Sequence, residues 1–231
     1  FFDKGLDVLS VCLGRKYKDI RIFAPYNMNN QENHRIMKLK KMLVGCLCLM
    51  AMASCGEGNQ NVKEETTVEE GKNVVIENIM ARRSIRKYKD EVVPREVLNQ
   101  IMECGINAPN GQNKQSWEVR VVDNPQVMAE ICNTLNAAYP KMENIASCFR
   151  GAPVMVFIAR DKGYDFSAYD CGLMAENMML SAQSLGVGSI CLGSPVRFIN
   201  DSPACAPILE RLGFSEGYEF CLCIGLGYAD E

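Results

Sequence analysis

Residues 152 to 160 read APVMVFIAR, an apolar run that stays apolar until Arg160. A strand with one wet face alternates apolar and polar side chains, so a strand without alternation is one buried on both faces. Its sheet then needs a cover above and below, which points to helices on either side. The helical period is present in NVVIENIMARRS, with Val75, Ile79 and Met80, and in PREVLNQIMECGINAP, which opens on Pro94 and repeats at Val97, Leu98, Ile101 and Met102. PQVMAEICNTLNAA starts on Pro125, and SAYDCGLMAENMMLSAQSLG predicts a long helix with small residues and methionines inward and Gly186 as its C-terminal cap. WEVRVVD, VGSICLG and YEFCLCIGLGY supply further strands. The class is α+β, a central sheet covered by helices.

The folded domain is expected to occupy residues 73–231, because what precedes it reads differently. Residues 1–36 lack an initiating methionine and show no sustained period, and form an upstream segment of unassigned role. From Met37 the chain reads MKLKKMLVGCLCLMAMASCGEGNQ: three lysines, an apolar stretch from Met42 to Ala53, then small residues. The stretch is too short to span a bilayer as a helix and suits the core of a signal peptide over residues 37–54. MASC resembles a bacterial lipobox, which makes Cys55 the expected lipidation site and the outer side of a bacterial membrane the expected location. A cytoplasmic location is the alternative. Residues 55–72 are polar, rich in glutamate and without aromatics, which reads as a flexible linker.

Other absences narrow the chemistry. A net charge of −3 argues against a nucleic-acid-coating protein, so any anion site must be local. The single histidine, His34, precedes the signal, so the mature domain has no imidazole for a Ser-His-Asp or Cys-His centre or an HExxH metal site. Eight cysteines follow the linker without a CxxC pair, and read mostly as small apolar core residues. Cys221 and Cys223, two apart in a strand, are expected to share one face. The conspicuous local charge is RRSIRKY, residues 82–88, which standing alone reads equally well as a solvated surface run.

Four pieces in order remove that ambiguity: RRSIRKY, then APNGQNKQSW (108–117), then GLMAENMMLSAQSLGVGSICLG (172–193), then IGLGY (224–228). Over roughly residues 73 to 229 they resemble the nitroreductase family of FMN enzymes. The resemblance implies a three-layer α-β-α sandwich around a mainly antiparallel sheet, assembled as a homodimer. It implies that Arg82, Arg83, Ser84 and Arg86 form a flavin clamp, with Arg82 and Ser84 on the phosphate and Arg86 near the pyrimidine edge. A guanidinium suits both tasks, forking onto phosphate oxygens and favouring negative charge on the ring. Pro109, Asn110, Gly111 and Asn113 would reach flavin from the neighbouring subunit. Leu192 and Gly193 would bring backbone amides to the ring edge that exchanges hydride, and Asn144 matches a ring-binding amide. Ser116 departs from the proline usual in the family, which bears on the loop's rigidity. Trp117 reads as core.

The implied activity is transfer of hydride from NAD(P)H through FMN to nitro compounds, quinones or similar electron-poor acceptors, by a ping-pong route. The alternatives are a lipid-anchored flavin-binding or redox-sensing module without turnover, and a relative that dehalogenates or fragments a flavin-like substrate. Family members also continue past the LGY strand into an arm that adds cations to the phosphate site. The sequence stops at ADE, so that contribution is expected to lie outside it.

Overall fold

The computed structural model describes residues 8–10, 20–23 and 73–231. The signal, the lipid site at Cys55, the linker and His34 lie outside them. A six-stranded sheet runs in the order β1-β2-β3-β4-β6-β5, with β1 Val8–Ser10, β2 Ile20–Phe23, β3 Trp117–Val122, β4 Val154–Asp161, β5 Gly188–Leu192 and β6 Tyr218–Gly227. Only the β2–β3 pair is parallel; the others are antiparallel. β1 and β2 fall in the upstream segment that showed no period in the sequence.

β4 is the run APVMVFIAR, and it is central: β3 and β6 flank it, and Val154 to Ala159 are buried on both faces. On one side, β4's Val154, Val156 and Ile158 pack with helices α2 (Arg95–Ile106) and α4 (Ser167–Ser184). On the other, Met155 and Phe157 meet α3 (Pro125–Ala138), α5 (Ser194–Asp201) and α6 (Ala206–Leu212). The three-layer sandwich expected from the resemblance is therefore present, with two cores separated by one sheet. Trp117 is buried in the α2–α4 core.

Helix ends follow the sequence signals. Asn124 caps α3 by accepting from the amides of Gln126 and Val127, with Pro125 at the first turn. At the end of α4, Gly186 takes φ +73°; its amide donates to Gln183 O, and that of Val187 to Ala182 O at 2.8 Å. That pair of bonds is the Schellman closure that a glycine permits. It turns the chain directly into β5.

Two features depart from the sequence pattern. Helix α1 (Val74–Ala81) has no buried residue: Val75, Ile79 and Met80 are all exposed, so its apolar stripe is not part of the core that the described residues build. And Cys221 and Cys223 do not share a face. A β-bulge shifts the register between Ile158↔Leu222 and Ala159↔Phe220, leaving Cys221 as the extra residue. Cys221 and Leu222 consequently both pack toward α4, whereas Cys223 and Phe220 lie in the opposite core.

Candidate functional site

Helix α1 ends at Arg82, whose ψ of 134° takes the chain into an extended segment. That segment is pinned along its length. Ser84 bridges Ser189 of β5 in parallel, the Ile85 amide donates to Ser189 O at 3.0 Å, and the Lys89 amide donates to Tyr228 O. The Tyr88 ring lies over β6, where a Cβ on Gly227 would come within 2.8 Å of it; its hydroxyl donates back to Ile85 O. Ile85 and Tyr88 thus face the protein, and the cations between them face out. Arg82 is half-buried, while Arg83 and Arg86 are exposed.

The fold supplies these guanidiniums with few partners. Arg82 has one loose ion pair, Nε to Glu176 Oε1 at 3.8 Å. Arg83 donates through Nη1 to Met80 O and Arg82 O, and Arg86 through Nη1 to Ser84 O at 3.0 Å. A guanidinium carries five N–H donors, so each retains donors for an anion. Ser189, fully buried beside Ser84, has a hydroxyl oxygen with no hydrogen-bond partner. Leu192 and Gly193 end the same β5 strand: Leu192 is buried in the α3-side core, whereas a Cβ on Gly193 would meet nothing within 4 Å. Cys191, between them and Ser189, feels both Glu176 and Arg82 electrostatically, which places all three side chains in one neighbourhood.

The second predicted loop is built differently. Gly111–Asn113 forms a single 3₁₀ turn, and Gln112, Asn113 and Gln115 all adopt left-handed backbone, with φ of 54°, 54° and 49°. Non-glycine residues avoid that region unless other contacts hold them there. The contacts come chiefly from Asp170, a buried residue in the first turn of α4. It accepts from the Gly111 amide at 2.9 Å through Oδ1 and from the Ser116 hydroxyl at 2.7 Å through Oδ2. Asn110 Oδ1 accepts from the Gln115 amide at 2.9 Å, and Lys114 Nζ sits 4.4 Å from the Tyr164 ring centre. Ser116 therefore ties the loop to α4 at the place where proline is usual. Neither Asp170 nor Tyr164 stood out in the sequence; an aspartate in a helix's first turn reads as an ordinary surface residue.

The two groups are anchored at different points of α4. Asn78 of α1 donates to Leu180 O, near the far end of α4, about 15 Å along that helix from Asp170. Arg82 meets Glu176 in the middle of α4 and Ser84 sits against β5, whereas Gly111 is held at the start of α4 by Asp170. Asn144 lies elsewhere again, exposed at φ 49° ahead of the 3₁₀ turn Ile145–Phe149 that packs on the α3 side.

Comparison with known proteins identifies this architecture. The nitroreductase family model matches residues 79–228. The chain belongs to the nitroreductase family. A nitroreductase from Desulfitobacterium hafniense, solved with bound FMN, is similar at 32% identity and a TM-score of 0.63, over 70% of this chain and 92% of that one. An NADPH-flavin oxidoreductase from Vibrio harveyi is 29% identical over 69% of this chain and 67% of its own length. A relative from Methanothermobacter thermautotrophicus, whose name joins NADH dehydrogenase and NAD(P)H nitroreductase, is 30% identical over 52% of this chain. The chain spans 60% of that relative's length.

Proposed function

We propose that this chain is an FMN-dependent oxidoreductase that takes reducing equivalents from NAD(P)H and delivers them to small electron-poor acceptors such as nitro compounds or quinones. The observation that carries the reading is the Arg82–Arg86 segment: cations held on a pinned backbone, with donors that the fold leaves unused. A phosphate-bearing flavin fits those residues. Arg82 and Ser84 would hold the phosphate, Arg86 the polar edge of the ring, and Leu192 and Gly193 would offer backbone beside an unobstructed space. Bound FMN would supply the two-electron redox chemistry between the nicotinamide and the acceptor. The protein's own part is to bind, orient and tune, and Arg86 favours negative charge near the ring.

The separation of the two halves of the site supports a homodimer in which Asn110, Gly111 and Asn113 of one subunit serve the arginine segment of the other. The exposed apolar face of α1 and exposed Leu173 of α4, at 46% accessibility, support the same assembly. Anchoring at Cys55 through a lipid on the outer side of a bacterial membrane is part of the proposal and rests on the sequence pattern alone. A Cys55→Ser variant of the full-length chain should leave the membrane fraction; retention there would overturn the anchor.

The catalytic reading is tested by the absorbance spectrum of the purified protein, followed by NADPH oxidation with a nitroaromatic or quinone acceptor. A flavin spectrum with acceptor-dependent turnover is expected. Flavin-loaded protein that never turns over would leave a binding or sensing module as the correct account.

A further inference from the structure

The eight cysteines of the described residues are all thiols, and they are not equivalent. Cys171 is 1% exposed just past the first turn of α4, with its Sγ 3.8 Å from Ala159 O of β4. Facing it is Cys221, the bulged residue of β6. Without the bulge, strand alternation would turn Cys221 to the α3 side along with Cys223; the inserted residue brings it under α4 instead. There it neighbours Cys171, whose Sγ touches the carbonyl of Ala159, the β4 residue at the register shift that Cys221 opens. The other proximities among these cysteines, Cys148 with Cys132 and Cys223 with Cys148 and Cys191, are electrostatic ones.

We propose that Cys171 and Cys221 form a redox-responsive dithiol that closes to a disulfide between α4 and β6 when the protein meets a small or protein disulfide oxidant. Cys221 is the attacking group. It is half-buried rather than sealed, and the Cys171 thiol beside it holds its own thiol below the usual range, opposed by burial and aided by the Arg160 guanidinium. The steps balance as a thiol–disulfide exchange. The Cys221 thiolate attacks one sulfur of the oxidant and expels its other half as a thiolate. Cys171, losing its proton, then displaces the second half. One protein disulfide forms, one oxidant disulfide becomes two thiols, and no other reductant or oxidant is needed.

The bond has a consequence for the site. Cys171 follows Asp170 directly, and Asp170 holds the Gly111 amide and the Ser116 hydroxyl. Closing the disulfide ties that turn of α4 to the sheet, and with it the base of the 110–116 loop. The proposal is independent of the flavin reading, since it uses no flavin contact.

The test treats the full-length protein with oxidised glutathione, blocks remaining thiols by alkylation, and maps the peptides by mass without reduction. The expected result is a peptide pair joined through Cys171 and Cys221. It should come with a rise in Tm on the order of 5 °C, absent in Cys221→Ser and reversed by dithiothreitol. Full alkylation of both residues after oxidation would overturn the proposal. So would a glutathione adduct resting on Cys221, or a bond joining Cys132 to Cys148 instead. Because the mapping uses the unmodified sequence, a failure of the variant to fold would leave the result readable.

Discussion

Arg120 and the arginines of residues 82–86 are the same side chain in opposite circumstances. Arg120 points from β3 into the α3-side core at 0% exposure, and the fold meets it with acceptors: Nε donates to Leu212 O, Nη1 to Val119 O, and Nη2 to Gly213 O and Glu118 Oε2, the last two at 2.7 Å. Glu118 Oε2 also accepts from the Ser215 amide, and the Phe214 ring lies 5.0 Å from the guanidinium carbon. The whole turn after α6 is clamped by one ion pair. Arg82, Arg83 and Arg86 have backbone carbonyls of their own segment and one long contact to Glu176. Charge count does not distinguish the two regions; the supply of acceptors does. A cation whose donors the fold consumes serves the fold, and one held in place with donors left over is placed for a ligand.

Removing Arg120 should have the largest effect. Arg120→Ala leaves Glu118 as a buried charge and strips three carbonyls of this donor, so a loss of about 3–5 kcal/mol is expected in urea unfolding. A loss under 1 kcal/mol would mean that the clamp is not structural. Asp170→Ala comes next: the Gly111 amide and the Ser116 hydroxyl lose their acceptor, at a cost of about 1–3 kcal/mol each while they stay buried. Faster amide exchange at Gly111 would report the loop's release; unchanged exchange would show that Asn110 suffices.

Smaller effects follow from single contacts. A Cβ on Gly111 would lie 2.2 Å from the Tyr164 hydroxyl oxygen and 3.2 Å from the next ring atom. Gly111→Ala should therefore cost about 1–3 kcal/mol. Tyr164→Phe in the same chain should recover most of that, because the Tyr164 hydroxyl has no partner to lose. Failure of the double variant to recover would place the strain in the backbone instead. At the bottom of the scale, Arg82→Ala should change unfolding by no more than about 0.5 kcal/mol, since its one ion pair is long and partly exposed. A larger loss would move Arg82 into the structural class with Arg120.

The layered fold was legible because β4 carries its context in its own composition, and capping residues such as Asn124 and Gly186 announce themselves locally. The arginine segment was legible as a motif, but its anchors were not. Ile85 and Lys89 hold it through backbone bonds to Ser189 and Tyr228, which are distant in sequence. The same holds for Asp170, whose role depends on a loop that precedes it by the whole of β3, α3 and β4. The bulge at Cys221 defeated strand alternation because one inserted residue resets the period without leaving a compositional trace. Helix α1 shows the converse: an apolar stripe reports that something covers it, and among the described residues nothing does.

The central claim, that the arginine segment is built for a phosphate-bearing flavin and not for the fold, is tested by titrating FMN and riboflavin into the protein and into an Arg82→Ala, Arg86→Ala variant by flavin fluorescence. The variant should melt with the parent, bind FMN more weakly by about 1.5–3 kcal/mol for each charged hydrogen bond lost, and show a smaller deficit for riboflavin, which lacks the phosphate. Equal FMN affinity in the two proteins, or equal deficits for both ligands, would contradict it.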